Sequence, residues 1–306
     1  MAPYARNTIR SRSAGQQKVD LRNEVVSSFG LRELQFELKK WLPGRLPSPS
    51  RSFVPCELRG RAAVRRMAPR RRLVYFWTIS FTLRAAMKPI LLSWSSGKDS
   101  AWCLHRLRQN QEYKVVGLLT TFNEVAGRVA MHAVRQELVE QQAAAAGLPL
   151  WAVPLPWPCP NEDYESLMAQ VCTKAVAQGI HGIAFGDLFL EDVRAYREKQ
   201  MRGSELQPIF PLWGLPTRDL AEEMIRGGMR AKLTCIDARV LDASFAGCEF
   251  DETLLAALAV GVDPCGERGE FHSFVYAGPM LNAEINISVG KKVTQDHFVF
   301  ADLISG

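Results

Sequence analysis

From residue 88 onward the chain alternates short apolar runs with longer stretches whose apolar positions recur every three or four residues. Pro89 to Trp94 is an apolar run ending in Ser95-Ser96-Gly97, after which Ala101, Leu104 and Leu107 repeat at helical spacing. The pattern predicts a buried strand, a tight loop and a helix. Val115 to Thr120 predicts a second strand, and Val129 to Ala146 a long helix stopped by Gly147 and Pro149. Leu150–Leu155, Gly182–Gly186 and Leu206–Phe210 predict further strands. Helices are expected over Glu162–Gln178 with Asn161 as N-cap, over Leu190–Arg202, and over Thr217–Arg226 ending at Gly227-Gly228. Strands separated by helices predict an α/β fold, a parallel sheet covered on both faces in a Rossmann-like manner. Ligands of such sheets sit at the carboxyl ends of the strands. Beyond residue 228 the pattern changes to a strand at Met229–Ile236, a helix at Asp251–Val260, glycine-rich loops and alternating segments. We therefore expect a ligand-binding α/β domain over 87–228 and a smaller C-terminal α+β substrate part over 229–306.

Composition adds exclusions. The 306 residues are 47% hydrophobic, yet no run reaches the roughly 18 to 20 apolar residues of a membrane helix, so no membrane association is expected. Seven cysteines without a CxxC pair argue against a zinc ribbon or a disulfide scaffold and for a reducing, cytoplasmic setting. The net charge of +6 conceals a split. Residues 1–86 hold 18 basic against 5 acidic residues (+13), whereas 87–306 hold 20 against 27 (−7). Nucleic acid is thus a poor partner for the larger part. For residues 1–86 three readings stay open: an organelle-targeting segment, a disordered basic arm, or an extension preceding a start at Met87.

The loop Ser95-Ser96-Gly97-Lys98-Asp99-Ser100 joins a strand to a helix N-terminus, where backbone N–H groups and the helix dipole favour an anion. It is not a Walker A loop, because Leu92 stands where the first glycine belongs and Asp99 where Ser or Thr belongs. Arg128, His132 and Arg135 are spaced to share one face of the expected long helix and to meet phosphates or an anionic substrate. Asp187 follows a strand end, with Arg194 and Arg197 on the next helix. In Gly266–His272, Glu267 and Glu270 lie between glycines that let them approach a ligand, and His272 is a candidate proton acceptor near neutral pH. Cys235, Cys248 and Cys265 with His272 match no metal-ligand spacing.

Strand followed by S-[GS]-G-K-D-S resembles the pyrophosphate loop of the PP-loop ATP pyrophosphatases. Within that superfamily, Trp94–Ser100 (WSSGKDS), Gly186-Asp187 with Arg194 and Arg197, Phe210–Gly214 (FPLWG), and above all Gly266–His272 (GERGEFH) with Gly278-Pro279 resemble the diphthine-ammonia ligase family. The likeness runs from Lys88 to about Ile287. Ser96 replaces the usual first glycine, a departure that looks tolerable if the positive φ falls on Gly97. The resemblance implies ATP held by Ser95, Ser96, Gly97, Lys98 and Ser100, Mg²⁺ placed by Asp99, and adenine near Leu118–Thr121, with Thr120 and Thr121 close by. It implies an AMP-forming ligation of ammonia to a carboxylate acceptor, in the family the diphthine side chain of a translation elongation factor. Lys98, Asp187, Glu267, Glu270 and His272 are the expected catalytic set. Two alternatives retain the nucleotide site, a tRNA-modifying enzyme and a sensor without turnover, and a homo-oligomer is left open.

Overall fold

The computed structural model describes residues 86–129 and 132–306, so the expectations for residues 1–85 lie outside the described residues. The described residues form two sheets. The first comprises β1 (Lys88–Ser93), β2 (Tyr113–Asn123), β3 (Arg128–Val129), β4 (Leu150–Leu155), β5 (Gly182–Ala184) and β6 (Gln207–Ile209). β1 lies between β2 and β5, all parallel; β4 adds to β2 and β6 to β5 in the same sense, and only β3 is antiparallel. The connecting helices are α1 (Lys98–Gln109), α2 (Gln136–Ala146), α3 (Asn161–Ala177) and α4 (Glu191–Met201), followed by α5 (Thr217–Arg226).

The central strand explains the two-sided cover. Ile90, Leu91 and Leu92 are all fully buried, but they alternate between two separate apolar clusters. Ile90 and Leu92 join Ala101 and Leu104 of α1, Leu138 of α2 and Leu220 of α5, while Leu91 joins Cys172 and Ala175 of α3 and Met201 of α4. Each fully buried leucine contributes about 1.5–3 kcal/mol relative to exposure. The predicted parallel sheet with helices on both faces is therefore observed.

The second sheet is antiparallel in the order β8 (Phe271–Ala277), β7 (Arg230–Asp237), β10 (Phe298–Ser305), β9 (Ile287–Gln295), with a short α6 (Glu252–Ala257) capped by Asp251, whose carboxylate accepts from Leu254 N at 2.8 Å. Leu233 of β7 and Phe274 of β8 enter the same cluster as α1 and α2, so the second sheet packs on that face of the first. No helix among the described residues is long and apolar enough to cross a membrane.

One expected element is wrong in its first half. The helix anticipated over Val129–Ala146 begins only at Gln136, because the chain first turns back to form β3 against Phe122 and Asn123. The turn is built by Asn123, whose side-chain oxygen accepts from Ala126 N at 2.7 Å, and by Gly127 at φ +60°. The helical spacing of Arg128, His132 and Arg135 therefore has no structural meaning. Asn161 also opens its helix without capping it, the N-cap being Pro160.

Candidate active site

Successive connections run from β1 to β2 and on to β4 at one edge, then return to the other side of β1 as β5 and β6. The order thus reverses between β1 and β5, where the loops leaving the two strands diverge and leave a crevice. A cavity of about 370 Å³ opens there, lined from the first sheet by Ser95, Lys98, Thr120, Thr121 and Asp187, and from the second by Glu267 and His272. That volume falls within the usual range for small-molecule sites.

The phosphate loop is shaped by a left-handed residue and a close approach. Positive φ, 71°, falls on Ser96, not on Gly97, which is extended at φ −86°. The expectation that Gly97 needs conformational freedom is therefore corrected. What Gly97 needs is space, since a Cβ there would lie 2.9 Å from His132 Cε1 and 3.1 Å from the Ser273 carbonyl oxygen. Gly186 is constrained in the same way, its Cβ falling 3.0 Å from Ser100 N at the start of α1. Ser95 Oγ meets Ser100 Oγ at 3.2 Å, and Ser100 Oγ donates to Gly97 O at 2.9 Å, so the loop is closed on itself around the helix N-terminus.

The second sheet completes this loop. Ser273 Oγ on β8 accepts from Lys98 N at 3.2 Å, and Val275 N donates to Ser96 O at 3.0 Å. Gln142 of α2, fully buried, accepts from Trp94 Nε1 at 2.8 Å and donates to Ser96 O at 3.0 Å and Val275 O at 2.6 Å. Every polar atom of that amide is thereby engaged in a place where an unmade hydrogen bond is expensive. Sequence reading passed over Gln142 and Ser273. A polar residue four positions after Leu138, on the apolar stripe of a helix, was the available signal for Gln142.

Lys98 is only 2% exposed; its ammonium donates to both Asp99 oxygens at 3.0 and 2.8 Å and stands 5.3 Å from the Phe271 ring centre. Burial lowers its pKa, but Asp99, Cys265 and Glu267 more than offset this and the amine stays charged. Burial raises Asp99 despite Lys98. We take the ion pair as the controlling feature, given the short contacts. Thr120 Oγ1 is committed to Trp94 O at 2.8 Å, so it fixes the wall while Thr121 lines it. Arg197 reaches the cavity, with Nε 3.6 Å from Asp187 Oδ2 and the guanidinium 5.0 Å from the Phe185 ring centre. Among the described residues these two buried atoms make no hydrogen bond of normal length and face each other as an ion pair. Arg194 is placed otherwise: it stacks on Phe210 and Trp213 and pairs with Glu198, outside the cavity lining.

The two loop glutamates also part. Glu267 faces the cavity and accepts from Leu188 N at 2.8 Å. Burial, with Asp99 nearby, pushes its carboxyl up to about 8. Glu270 points into the protein, accepting from Asp263 N at 3.0 Å and Arg268 N at 2.9 Å. It holds the loop together and does not line the cavity. His272 and His132 do line it, ring centres 4.6 Å apart, with His132 Nδ1 3.2 Å from Ser273 O. Burial pushes His132 down to about 4 and His272 well below the ordinary histidine value. Burial favours the neutral ring in both, so His272 does not titrate near neutrality as expected from its sequence position.

Arg128 and Arg135 lie outside the cavity lining. Both grip Asp302 of β10, Arg128 Nη1 at 2.9 Å and Arg135 Nη2 at 2.6 Å, and they pin the β3 turn to the second sheet. Burial disfavours the Asp302 carboxylate, but the two guanidiniums overcome this and hold it below the usual range. The partner lies more than 160 residues along the chain, beyond any local pattern.

The donor set fits a Mg²⁺ ion that is completed by phosphate oxygens. Among the described residues no three His, Cys, Asp or Glu side chains form a cage of their own, whereas Asp99 offers a cavity carboxylate beside the cationic Lys98. Mg²⁺ is ordinarily held in just this way, by one or two carboxylates together with substrate phosphates.

Comparison with known proteins agrees with this geometry. A family model described as "Diphthamide synthase N-terminal domain" matches residues 87–208, and one described as "Diphthamide synthase C-terminal domain" matches residues 216–303. The chain is 25% identical to the diphthine–ammonia ligase of Bos taurus over 228 residues, covering 68% of this chain and 85% of that protein. It is 27% identical to the diphthine–ammonia ligase of Danio rerio over 238 residues, covering 68% and 89% respectively. The match to the Homo sapiens diphthine–ammonia ligase, 27% over 148 residues, covers 47% of this chain and 55% of that protein. The two matched regions contain the two sheets that close on the cavity, and the chain belongs to the diphthine-ammonia ligase family.

Proposed function

We propose that the chain is an ATP-dependent amide ligase that adenylates the carboxylate of a diphthine side chain and passes the acyl group to ammonia, releasing AMP and pyrophosphate. The observation that carries this reading is the convergence of Lys98, the N-terminus of α1 and the carboxylates of Asp99, Asp187 and Glu267 in one cavity. Lys98 and the α1 amides bind and orient the β and γ phosphates, so charge that develops on departing pyrophosphate meets a fixed cation and a helix dipole. Asp99 would hold Mg²⁺, which when bound neutralises phosphate charge. The end of β2, Leu119 to Thr121, takes the base, and Arg197 faces the acceptor carboxylate. Holding both reactants in a crevice closed by two sheets excludes water, which would otherwise compete with ammonia for the adenylate.

Sulfur transfer is the weaker reading. Cys265 is the one cavity cysteine among the described residues, and burial pushes its thiol far above the ordinary value, away from the thiolate such chemistry needs. The test is to incubate the protein with ATP, Mg²⁺, ammonium and a diphthine-bearing elongation factor while following nucleotide products. AMP and pyrophosphate in step with amide formation are expected. Release of ADP and phosphate would overturn the adenylation reading.

A further inference from the structure

We propose that a side pocket of the main cavity, between α3 and α4, is a quaternary-ammonium site, which receives the trimethylammonium group of the acceptor while Arg197 meets the carboxylate. The inference rests on the ligase reading above and adds to it the part of the acceptor that the protein grips.

A second cavity of about 60 Å³ adjoins the first. Tyr164, Met168, Ile183, Phe185 and Arg197 line both, so Arg197 stands where the two meet. Cys172 of α3 and Tyr196 and Met201 of α4 close the far side. A water molecule needs roughly 10–15 Å³ measured in this way, so the pocket admits a compact group of roughly four non-hydrogen atoms. Arg197 is the one charged side chain on its wall among the described residues. Burial works against that charge, but Asp187, Tyr164 and Tyr196 hold it.

The wall suits a cation that has no N–H groups. An aromatic face attracts a cation within about 6 Å of its centre, and no ring or cation among the described residues stacks on Tyr164 or Tyr196. The same wall already holds one cation in this manner, the Arg197 guanidinium 5.0 Å from the Phe185 ring centre. Glu165, which accepts from Gln200 Nε2 at 2.9 Å and ties α3 to α4 at the pocket's edge, has no ion-pair partner among the described residues and adds negative charge there. A primary ammonium would bury donors that this apolar wall cannot satisfy. A quaternary nitrogen has none to satisfy, and its methyl groups gain from apolar contact with Met168 and Met201.

Arg197 would repel a lone cation, so the ligand that fits carries an anion beside its quaternary nitrogen. Diphthine is such a zwitterion, with trimethylammonium and carboxylate on one carbon. Its methyl groups in the side pocket leave the carboxylate at Arg197, on the wall shared with the cavity of the phosphate loop.

Glycine betaine carries the same pair of groups, and tert-butylacetate has its shape without the positive charge. Titrated into the full chain and followed by saturation-transfer NMR, glycine betaine should bind at least about five-fold more tightly than tert-butylacetate. Tyr164→Leu and Tyr196→Leu should remove most of that preference, and Tyr164→Phe should keep it. With ATP, Mg²⁺ and a diphthine-bearing elongation factor, Tyr164→Leu should raise the KM for the factor by about ten-fold and leave the KM for ATP within about two-fold. Equal or tighter binding of tert-butylacetate would make the pocket merely apolar and overturn the inference; that comparison needs only the wild-type protein. A KM raised for ATP and not for the factor would put the Tyr164 ring against the base and overturn it equally. If glycine betaine binds with the stated preference but the factor yields no AMP, the ligase reading fails and the pocket assignment stands.

Discussion

The loop over residues 95–100 and the loop over residues 263–270 both end in the same cavity, yet they are held in opposite ways. The phosphate loop takes its direction from its flanks, a buried strand entering and a helix leaving with Ser95, Gly97 and Ser100 closing the gap through contacts within five residues, and β8 then fastens it in place. The second loop is set by carboxylates that reach backbone amides, Glu270 to Asp263 N and Arg268 N, and Asp263 to Glu267 N at 2.8 Å. The first kind of loop announces its direction in the sequence, because strand and helix fix where its amides point. The second does not. Its glutamates are identical in type and three apart, and only one of them enters the cavity.

The comparison breaks most visibly at Lys98. Lys98→Ala removes the cation that faces the phosphates and should lower kcat/KM for ATP by about 10²- to 10³-fold, measured as pyrophosphate release. Normal turnover in that variant would remove the phosphate assignment of the first loop. Away from both loops, Asp302→Asn strips Arg128 of a buried partner and should cost about 3 kcal/mol in urea unfolding, while a folded fraction at low temperature still binds ATP. Because the pairing holds Asp302 below its ordinary value, its contribution is present above the unfolded carboxylate value and is lost as pH falls through the lower folded one.

Glu270→Gln sharpens the contrast with its neighbour. An amide has one acceptor oxygen where the carboxylate serves two N–H groups, so about 1–3 kcal/mol of stability should be lost. Glu267→Gln should instead leave the melting temperature unchanged or raised near pH 8. A carboxyl raised in the folded state loses stability as pH climbs from the unfolded value to about 8, and glutamine abolishes that slope. Thermal melts of both variants across pH 5–9 check the pair, and matching profiles would erase the distinction drawn here. The smallest effect is expected at Ser96, a non-glycine residue at φ 71° whose buried hydroxyl has no partner among the described residues. Ser96→Gly should stabilise by about 1 kcal/mol, read from denaturant midpoints.

Much of the first sheet was legible because fully buried strands such as Ile90–Leu92 and helices with apolar stripes write their period into the chain. The failure at Val129–Ala146 has a local cause: an apolar, alanine-rich run masked a turn that depends on one asparagine side chain and one glycine. Among candidate site residues, Ser95, Lys98, Asp99, Ser100, Thr121, Asp187, Arg197, Glu267 and His272 do line one cavity. Arg128, Arg135, Arg194 and Glu270 do not, since each is claimed by a partner. A charged residue shows in sequence, but the group that neutralises it is a property of the fold.

The buried amide of Gln142 bears on any attempt to take the protein apart. A fragment ending at Gly228 would keep every residue of the phosphate loop and yet strip Ser96 O of Val275 N, Lys98 N of Ser273 Oγ, and Gln142 Nε2 of one of its two acceptors. The phosphate-loop motif therefore draws its hydrogen bonds from both sheets. Nucleotide recognition is inherited by the first sheet in name, but the loop that performs it is a joint product of two sheets folded together.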